Sequence, residues 1–498
     1  MKITVNKKFR AVTPTAASSP TPARSEIAAM FGIGLDERRE VTIYEGLELD
    51  IQPGQVILIT GPSGGGKSVL LRTIKGEIRR RRSRQLLPMV DLDEISLTDP
   101  RAVIDTFDCP LPKTLAALSR AGLNDAYLML RRPRELSDGQ KWRWRLARAL
   151  AGGAKTIVVD EFCSTLDRQT ARGICYNLRR FADEFGTTVI VATAHEDFLE
   201  DLSPDMVIVK HLGPRVEILS TGDQARRNGQ LERKCTLSSA IRIEPGDYDD
   251  WLALAPFHYR SHHPGAVDKI FRMVWSPTPA ELTASGSKPA GEMSQVTSCQ
   301  NVLVGVIVYG FPQLSLSARN LATGGRYRTA GSVMRLSVGR LLNREVRVIS
   351  RVVINPNWRG LGLAVRLVRE TLPLAGTPYV EALAVMGRVN PFFERAGMKR
   401  YDVPRPEASA RLLALFECFG ISPSVAGVPH RLQGAIAALV KAEREKALYE
   451  IRRWATSYLG AKNHRENLIT DERAMELAAK RLPAAPLYYL WRAGEKTG

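Results

Sequence analysis

Apolar runs recur along the chain, and none is long. QVILIT (55–60), TIVVDEF (156–162), TVIVATA (188–194), NVLVGVIVYG (301–310) and YVEALAVMG (379–387) have the length of buried strands, too short for a buried helix. From about 36 to 235 such runs alternate with helical patterns, which predicts a parallel α/β sheet. A second α/β segment is expected over 239–403, broken by the loop-like SPTPAELTASGSKPAGEMSQ, residues 276–295. From 406 to 498 the periodicity is helical. LQGAIAALVKAEREKALYEIRRWATSYL is the longest amphipathic stretch, expected to pack on the domain before it. Residues 1–35 read as a flexible segment, because AVTPTAASSPTPAR (11–24) is rich in Pro, Ser, Thr and Ala.

Two strand–turn–helix stretches carry the chemistry. In the first, GPSGGGKS (61–68) follows QVILIT in the G-x-x-x-x-G-K-S pattern of a P-loop. Gly61, Ser63, Gly64, Gly65 and Gly66 let backbone N–H groups turn toward phosphate oxygens. Lys67 brings a positive charge to the β- and γ-phosphates, and Ser68 brings a hydroxyl to Mg²⁺. Further on come LSDGQ with Ser137, Gly139 and Gln140, then the strand TIVVDEF ending in Asp160 and Glu161, then STLD (164–167), then TVIVATAHED with His195. Asp160 is suited to hold Mg²⁺ through water, Glu161 to polarise an attacking water, and His195 to bond the γ-phosphate.

Five motifs in this order resemble the ABC-ATPase superfamily over roughly residues 36–235. The resemblance implies ATP and Mg²⁺ as ligands and a homodimer in which Ser137 of one protomer acts on nucleotide held at Lys67 of the other. One expected feature is missing: residues 86–139 contain no Gln to relay between Mg²⁺ and a transport partner. Asp105 and Asp108 are candidate replacements, and Phe31 and Tyr44 are candidates to stack on adenine.

The second stretch, ISRVVINPNWRGLGLAVRLVRETL (349–372), holds Arg359, Gly360, Gly362 and Ala364 as R-G-x-G-x-A between a strand and a helix. Small residues there let N–H groups and a helix N-terminus face a pyrophosphate. With V-V-I-x-P before it and YVEALAVMG and NPFFERAGMKRYD after it, the order resembles the GNAT acyltransferases. That resemblance implies acetyl-CoA bound at the turn. Where those enzymes often carry a proton-donating Tyr, Phe393 stands. Glu345 is a candidate base, with an ion pair to a neighbouring Arg as the other reading. His258 and Tyr259, in PFHYRSHH, are candidate acid, base or stacking groups. His262 and His263 could be metal ligands but lack nearby Cys or carboxylate partners. The H-Y pair with the later G-V-I-V-Y-G is similar to Mom-type phage proteins, which modify DNA adenine. The whole chain resembles ABC ATPases fused to an acetyltransferase-like domain.

Composition narrows the setting. A net charge of +19 and a pI of about 9.8 favour polyanionic partners, nucleic acid first, with RRRRSR (79–84) the densest cluster. No apolar run is long enough to span a bilayer, and the six cysteines form no C-x-x-C pair, so a reduced cytoplasm is expected. The reading is therefore an ATPase coupled to transfer of an acetyl group onto a nucleic-acid base or an acceptor bound to nucleic acid. The alternatives are transfer to a protein or small amine, a catalytically dead binding module, and the ATPase subunit of a transporter.

Overall fold

A computed structural model describes residues 1–12, 21–32, 38–195, 197–220, 235–258, 263–276, 301–328, 331–402, 404–459, 469–482 and 486–495. The chain divides into two units. One holds Met1–Glu244, Met273–Gly305 and Ile354–Leu363; the other holds Pro245–Arg272, Val306–Val353 and Ala364–Gly498.

The first unit opens on a strand where a flexible segment was expected. β1 (Lys2–Val12) precedes helix α1 (Pro22–Met30) and pairs antiparallel with β2 (Arg38–Asp50). The reason lies in the alternation of Ile3 and Val5 with polar neighbours. Both are buried, and they stand opposite Leu49 and Leu47. Then come β3 (Val56–Thr60), α2 (Lys67–Arg80), β4 (Met89–Asp91), α3 (Asp138–Ala151), β5 (Thr156–Val159), α4 (Arg168–Phe185), β6 (Thr188–Ala192), β7 (Met206–Lys210) and β8 (Val216–Ser220).

These strands form a six-stranded sheet in the order β4-β5-β6-β3-β7-β8. All pairs are parallel except the edge pair β7–β8. Both faces are covered, as continuous apolar runs require. Val56, Leu58, Ile157, Val159, Val189 and Val191 enter one hydrophobic cluster, while Ile57, Ile59, Val158, Ile190 and Ala192 enter the other. Each such Val, Leu or Ile side chain contributes about 1.5–3 kcal/mol on burial. One buried cation ties the layers together: Arg179 on α4 bonds Asp183 at 2.7 Å and Asp205 at 2.9 Å, and Asp205 accepts the Val56 N–H at 2.8 Å.

The remaining strands are β9 (Ile241–Pro245), β10 (Val267–Trp275), β11 (Val302–Gly310), β12 (Val346–Ile354), β13 (Tyr379–Ala384), β14 (Lys399–Tyr401) and β15 (Leu487–Arg492). Their seven-stranded sheet has the order β14-β15-β13-β12-β11-β10-β9. Helix α5 (Leu363–Thr371) links the parallel neighbours β12 and β13.

The C-terminal residues correct the expected helical extension. Helices Glu407–Cys418, Pro429–Ala437, Lys441–Leu459 and Asp471–Arg481 bury Leu412, Phe416, Leu432, Ile436, Ile451, Trp454 and Ala478 against one another rather than on the preceding domain. The chain then returns as β15, antiparallel to both β13 and β14. The helices are thus an insertion between two strands of one sheet. Residues Leu487–Arg492 (LYYLWR) are aromatic and apolar enough to be a buried central strand.

Candidate functional site

Parallel register brings the first set of motifs together. β5, β6 and β3 are adjacent; Ile59 lies beside Ala192, and Val159 beside Val191. Thr60 and the P-loop, Asp160, and the segment leading to His195 therefore leave three neighbouring strands at one level. This is the crevice outside the carboxyl ends of a parallel sheet, where such folds bind ligands.

The P-loop glycines are required by close packing. Gly61 has φ +131°, and a Cβ there would collide with the carbonyl of Lys210. Gly66, the N-cap of α2, has φ +106°, and a Cβ would sit 2.6 Å from Ile43 Cγ2. No side chain caps α2, which leaves its first-turn N–H groups to a ligand. Lys67 Nζ donates to the carbonyls of Gly61 at 2.7 Å and Pro62 at 2.9 Å. Burial lowers the Lys67 pKa, and the charge on Asp160 opposes that shift. A lysine arched over a ring of glycine N–H groups, facing a carboxylate, fits a magnesium-bound polyphosphate. Ser68 and Asp160 are the residues suited to hold the Mg²⁺.

Tyr44 does not serve as an adenine platform. It is buried at 1% exposure, and its hydroxyl donates to the Gly66 carbonyl at 2.9 Å. Lys210 Nζ lies 5.1 Å from the Tyr44 ring centroid. Both residues brace the P-loop from beneath, and neither role was visible in a local motif. Phe31, at the end of α1, is 71% exposed.

Glu161 has φ +46°, a left-handed conformation that costs a non-glycine residue roughly 1–3 kcal/mol and marks functional sites. Its N–H donates to Asp160 Oδ1 at 3.0 Å, and it is exposed. His195 donates its N–H to Thr193 Oγ1 at 3.1 Å and has its ring Nδ1 3.5 Å from Arg168, which pairs with Asp197 at 2.8 Å. Asp105 and Asp108 are exposed and lie on and just after the turn Val103–Thr106. The acid in their expected place is Asp93. β4 ends at Asp91, opposite Val158, and Asp93 follows in the 3-10 turn Leu92–Glu94, near enough to Asp160 for the two charges to interact. Burial, then Asp91 and Asp160, raise the Asp93 pKa against the pull of Arg145.

Ser137 caps α3, and its N–H donates to Gln140 Oε1 at 3.0 Å. Gly139 is packed against the STLD turn: a Cβ there would meet the Thr165 carbonyl at 3.1 Å and Leu166 at 3.2 Å. Asp167, the last residue of that turn, caps α4 by accepting the Thr170 N–H at 2.9 Å. The signature is thus mechanically joined to the turn that follows Glu161.

The second glycine turn is split in character. Arg359 donates to the carbonyls of Ile354 at 2.8 Å and Asn124 at 2.7 Å. Gly360 has φ +87°, and a Cβ would stand 2.7 Å from the Ser119 carbonyl and 3.1 Å from Asn177. Packing within the first unit therefore accounts for Arg359 and Gly360 without a cofactor. Gly362, at φ +75°, faces open space, and Ala364 lies in the first turn of α5.

One other expectation is corrected. Glu345 is buried, accepts two bonds from Arg326 at 2.9 Å and one from the Tyr327 hydroxyl at 2.8 Å, and Arg326 holds its pKa low. Its carboxylate is committed to that ion pair and is not a base. His258 packs edge-on to Trp251 at 6.0 Å, while Tyr259 and His262 lie outside the described residues. No cluster of metal-ligating side chains occurs among the described residues. In RRRRSR, Arg79 pairs with Glu94 at 2.6 Å, and Arg80 and Arg81 pair with Glu77 at 2.7 and 3.0 Å, so much of that charge is neutralised. Among the described residues, no helix is long and apolar enough to cross a membrane.

This arrangement of P-loop, sheet-end carboxylates and helix-capping signature defines a P-loop ATPase of the cassette type. The ABC transporter family model matches residues 44–164. The methionine import ATP-binding protein MetN of Corynebacterium diphtheriae is 31% identical over 246 residues, 43% of this chain and 72% of that protein. The phosphonates import ATP-binding protein PhnC of Hyphomonas neptunium is 34% identical over 202 residues, 33% of this chain and 77% of that protein. A bacterial ABC transporter cassette solved as a dimer is 23% identical, over 37% of this chain and 94% of that one, with a TM-score of 0.30. The chain belongs to the family of ABC transporter ATP-binding proteins, and binds and hydrolyses ATP.

Proposed function

We propose that ATP closes two copies of this chain on each other, and that this closure controls a fused domain which transfers acetyl from acetyl-CoA to an amine. In the closed pair, Ser137, Gly139 and Gln140 of one protomer meet nucleotide held at Lys67 of its partner. Lys67 and the N–H groups of Gly64 to Ser68 bind and orient the phosphates, and Glu161 takes the proton of the attacking water. Bound Mg²⁺ neutralises phosphate charge at Ser68 and Asp160.

The observation that carries the second half is the seven-stranded sheet. β12 and β13 pair in parallel only from Val346 to Ile349 and from Tyr379 to Ala382, although β12 runs on to Ile354 and β13 to Ala384. Two parallel strands that part at their carboxyl ends, directly before a glycine turn, offer unpaired backbone groups to an extended amide-bearing arm such as that of coenzyme A. The net charge of +19 supports an acceptor amine carried on nucleic acid. The test is calorimetric titration of acetyl-CoA into the full chain. Micromolar binding that Gly362→Asp removes is expected; no binding by the folded protein rejects the donor.

A second reading has its own support. The relatives are named as import ATP-binding proteins, which favours an ATPase subunit docked to a membrane permease. It predicts no acetyl-CoA binding and an ATPase rate that rises when a permease is supplied.

A further inference from the structure

Lys210, the last residue of β7, is 0% exposed. Lysine is almost never fully buried unless an anion compensates its charge. Among the described residues no carboxylate does so, and burial alone acts on the Lys210 pKa, lowering it. Its Nζ donates to the carbonyls of His211, at 2.6 Å, and of Gly213, and lies 5.1 Å from the centroid of the Tyr44 ring. Carbonyl dipoles and an aromatic face favour a cation, but none of them carries a negative charge.

The surroundings of this ammonium point to its counter-charge. β7 runs parallel to β3 with Val209 opposite Thr60, and the Lys210 carbonyl lies against Gly61, the first residue of the P-loop. The side chain then follows the loop. A Cβ on Gly65 would stand 3.7 Å from Lys210 Cγ, and a Cβ on Gly66 would stand 3.7 Å from Cε. Tyr44, the ring beside the ammonium, donates its hydroxyl to the Gly66 carbonyl. Lys67, the cation within the loop, is only partly buried and donates to Gly61 and Pro62. Lys210 is a second cation against the same loop, shut off from water.

Resting on ATP binding at this loop, we propose that Lys210 is a positioning residue for nucleotide, a buried positive charge whose counter-charge is the bound polyphosphate itself. The attraction acts across the loop in a medium of low effective dielectric, where a charge several ångströms away still counts. It acts on the total charge of the phosphates and not on the bond that breaks. It therefore strengthens binding without speeding the chemical step.

The test sets Lys210→Met, which keeps the unbranched stem and loses the charge, against Lys210→Arg, which keeps the charge and fits the space less well. MgATP is titrated into each full chain by calorimetry, and ATP hydrolysis is followed by phosphate release. Lys210→Met should bind MgATP more weakly by on the order of tenfold. Its KM should rise by a similar factor, with kcat within about twofold of wild type. Lys210→Arg should recover most of the affinity. Without nucleotide, Lys210→Met should melt within about 3 °C of wild type, because removing an uncompensated charge offsets two lost hydrogen bonds to carbonyls. Unchanged MgATP affinity in Lys210→Met overturns the proposal. So does Lys210→Arg binding no better than Lys210→Met, which would make the shape of the side chain decisive and not its charge. A Lys210→Met chain that does not fold makes the residue structural and overturns it as well. No MgATP binding by the wild type rejects the nucleotide site itself.

Discussion

The chain builds a strand, a glycine turn and a helix twice, and the two copies differ in what surrounds them. After β3, the turn Gly61–Gly66 sits in the middle of a parallel sheet. Neighbouring strands deliver Asp160, Glu161 and His195 to the same level, and Tyr44 and Lys210 brace it from below. After β12, the turn Arg359–Gly362 has Ser119, Asn124 and Asn177 against its first half and open space at Gly362. The same local sequence logic yields a phosphate cradle in one place and, in the other, a turn whose first half is taken up by packing. What decides is the set of strand ends beside the turn, which the turn itself does not encode.

The contrast breaks most sharply at the first turn. Lys67→Ala should lower ATP hydrolysis at least about a hundredfold through lost phosphate binding and charge stabilisation, read by phosphate release. Glu161→Gln should bind ATP, hydrolyse it at least about a hundredfold more slowly, and run as a dimer in light scattering. Wild-type turnover by Glu161→Gln would remove Glu161 from the chemistry.

The glycines sharpen it next. Gly61→Ala and Gly360→Ala force a Cβ onto backbone carbonyls, and each should destabilise by about 3 kcal/mol or more. Gly362→Ala meets only the left-handed φ and should cost about 1 kcal/mol. Urea melts of the three variants rank them. Equal losses would mean that packing does not distinguish the two turns.

Glu345→Gln should cost about 2 kcal/mol, since it weakens charged hydrogen bonds to Arg326 and Tyr327. Because the folded pKa of Glu345 is held low, its contribution is present above the unfolded carboxylate value near 4.3 and is lost as pH falls through the folded value. The variant's stability deficit, measured by melts at falling pH, should shrink accordingly. Smallest of all, replacing Arg79 to Arg82 and Arg84 with Ser should weaken DNA or RNA binding only several-fold, since Arg79, Arg80 and Arg81 already pair with acids.

How much was legible in the sequence follows from the range of each interaction. GPSGGGKS, LSDGQ, TIVVDEF and STLD are local in sequence, and each declares its element and its chemistry at once. The helix caps at Ser137 and Asp167 are likewise local. Long-range pairings were not legible. β15 joins β13 across more than a hundred residues, and nothing within LYYLWR names its partner. Ile3 and Val5 carried a period-two signal that the Pro- and Ser-rich stretch after them obscured. Tyr44 and Lys210 brace the P-loop through one hydroxyl and one buried ammonium, which no spacing rule announces. Asp93 is found only through the turn that follows β4, and the missing Gln was the clue that something had to stand there. Glu345 was legible as one of two readings, a base or an ion pair with a neighbouring Arg, and the Arg326 guanidinium decides for the ion pair.

Coupling between the two turns means that the nucleotide state of the first governs what the second binds. It is tested most directly by the acetyl-CoA affinity of Glu161→Gln, measured by calorimetry with saturating MgATP and without nucleotide. Coupling of the usual strength predicts affinities that differ by at least about fivefold. Equal affinities would mean that the two turns are uncoupled.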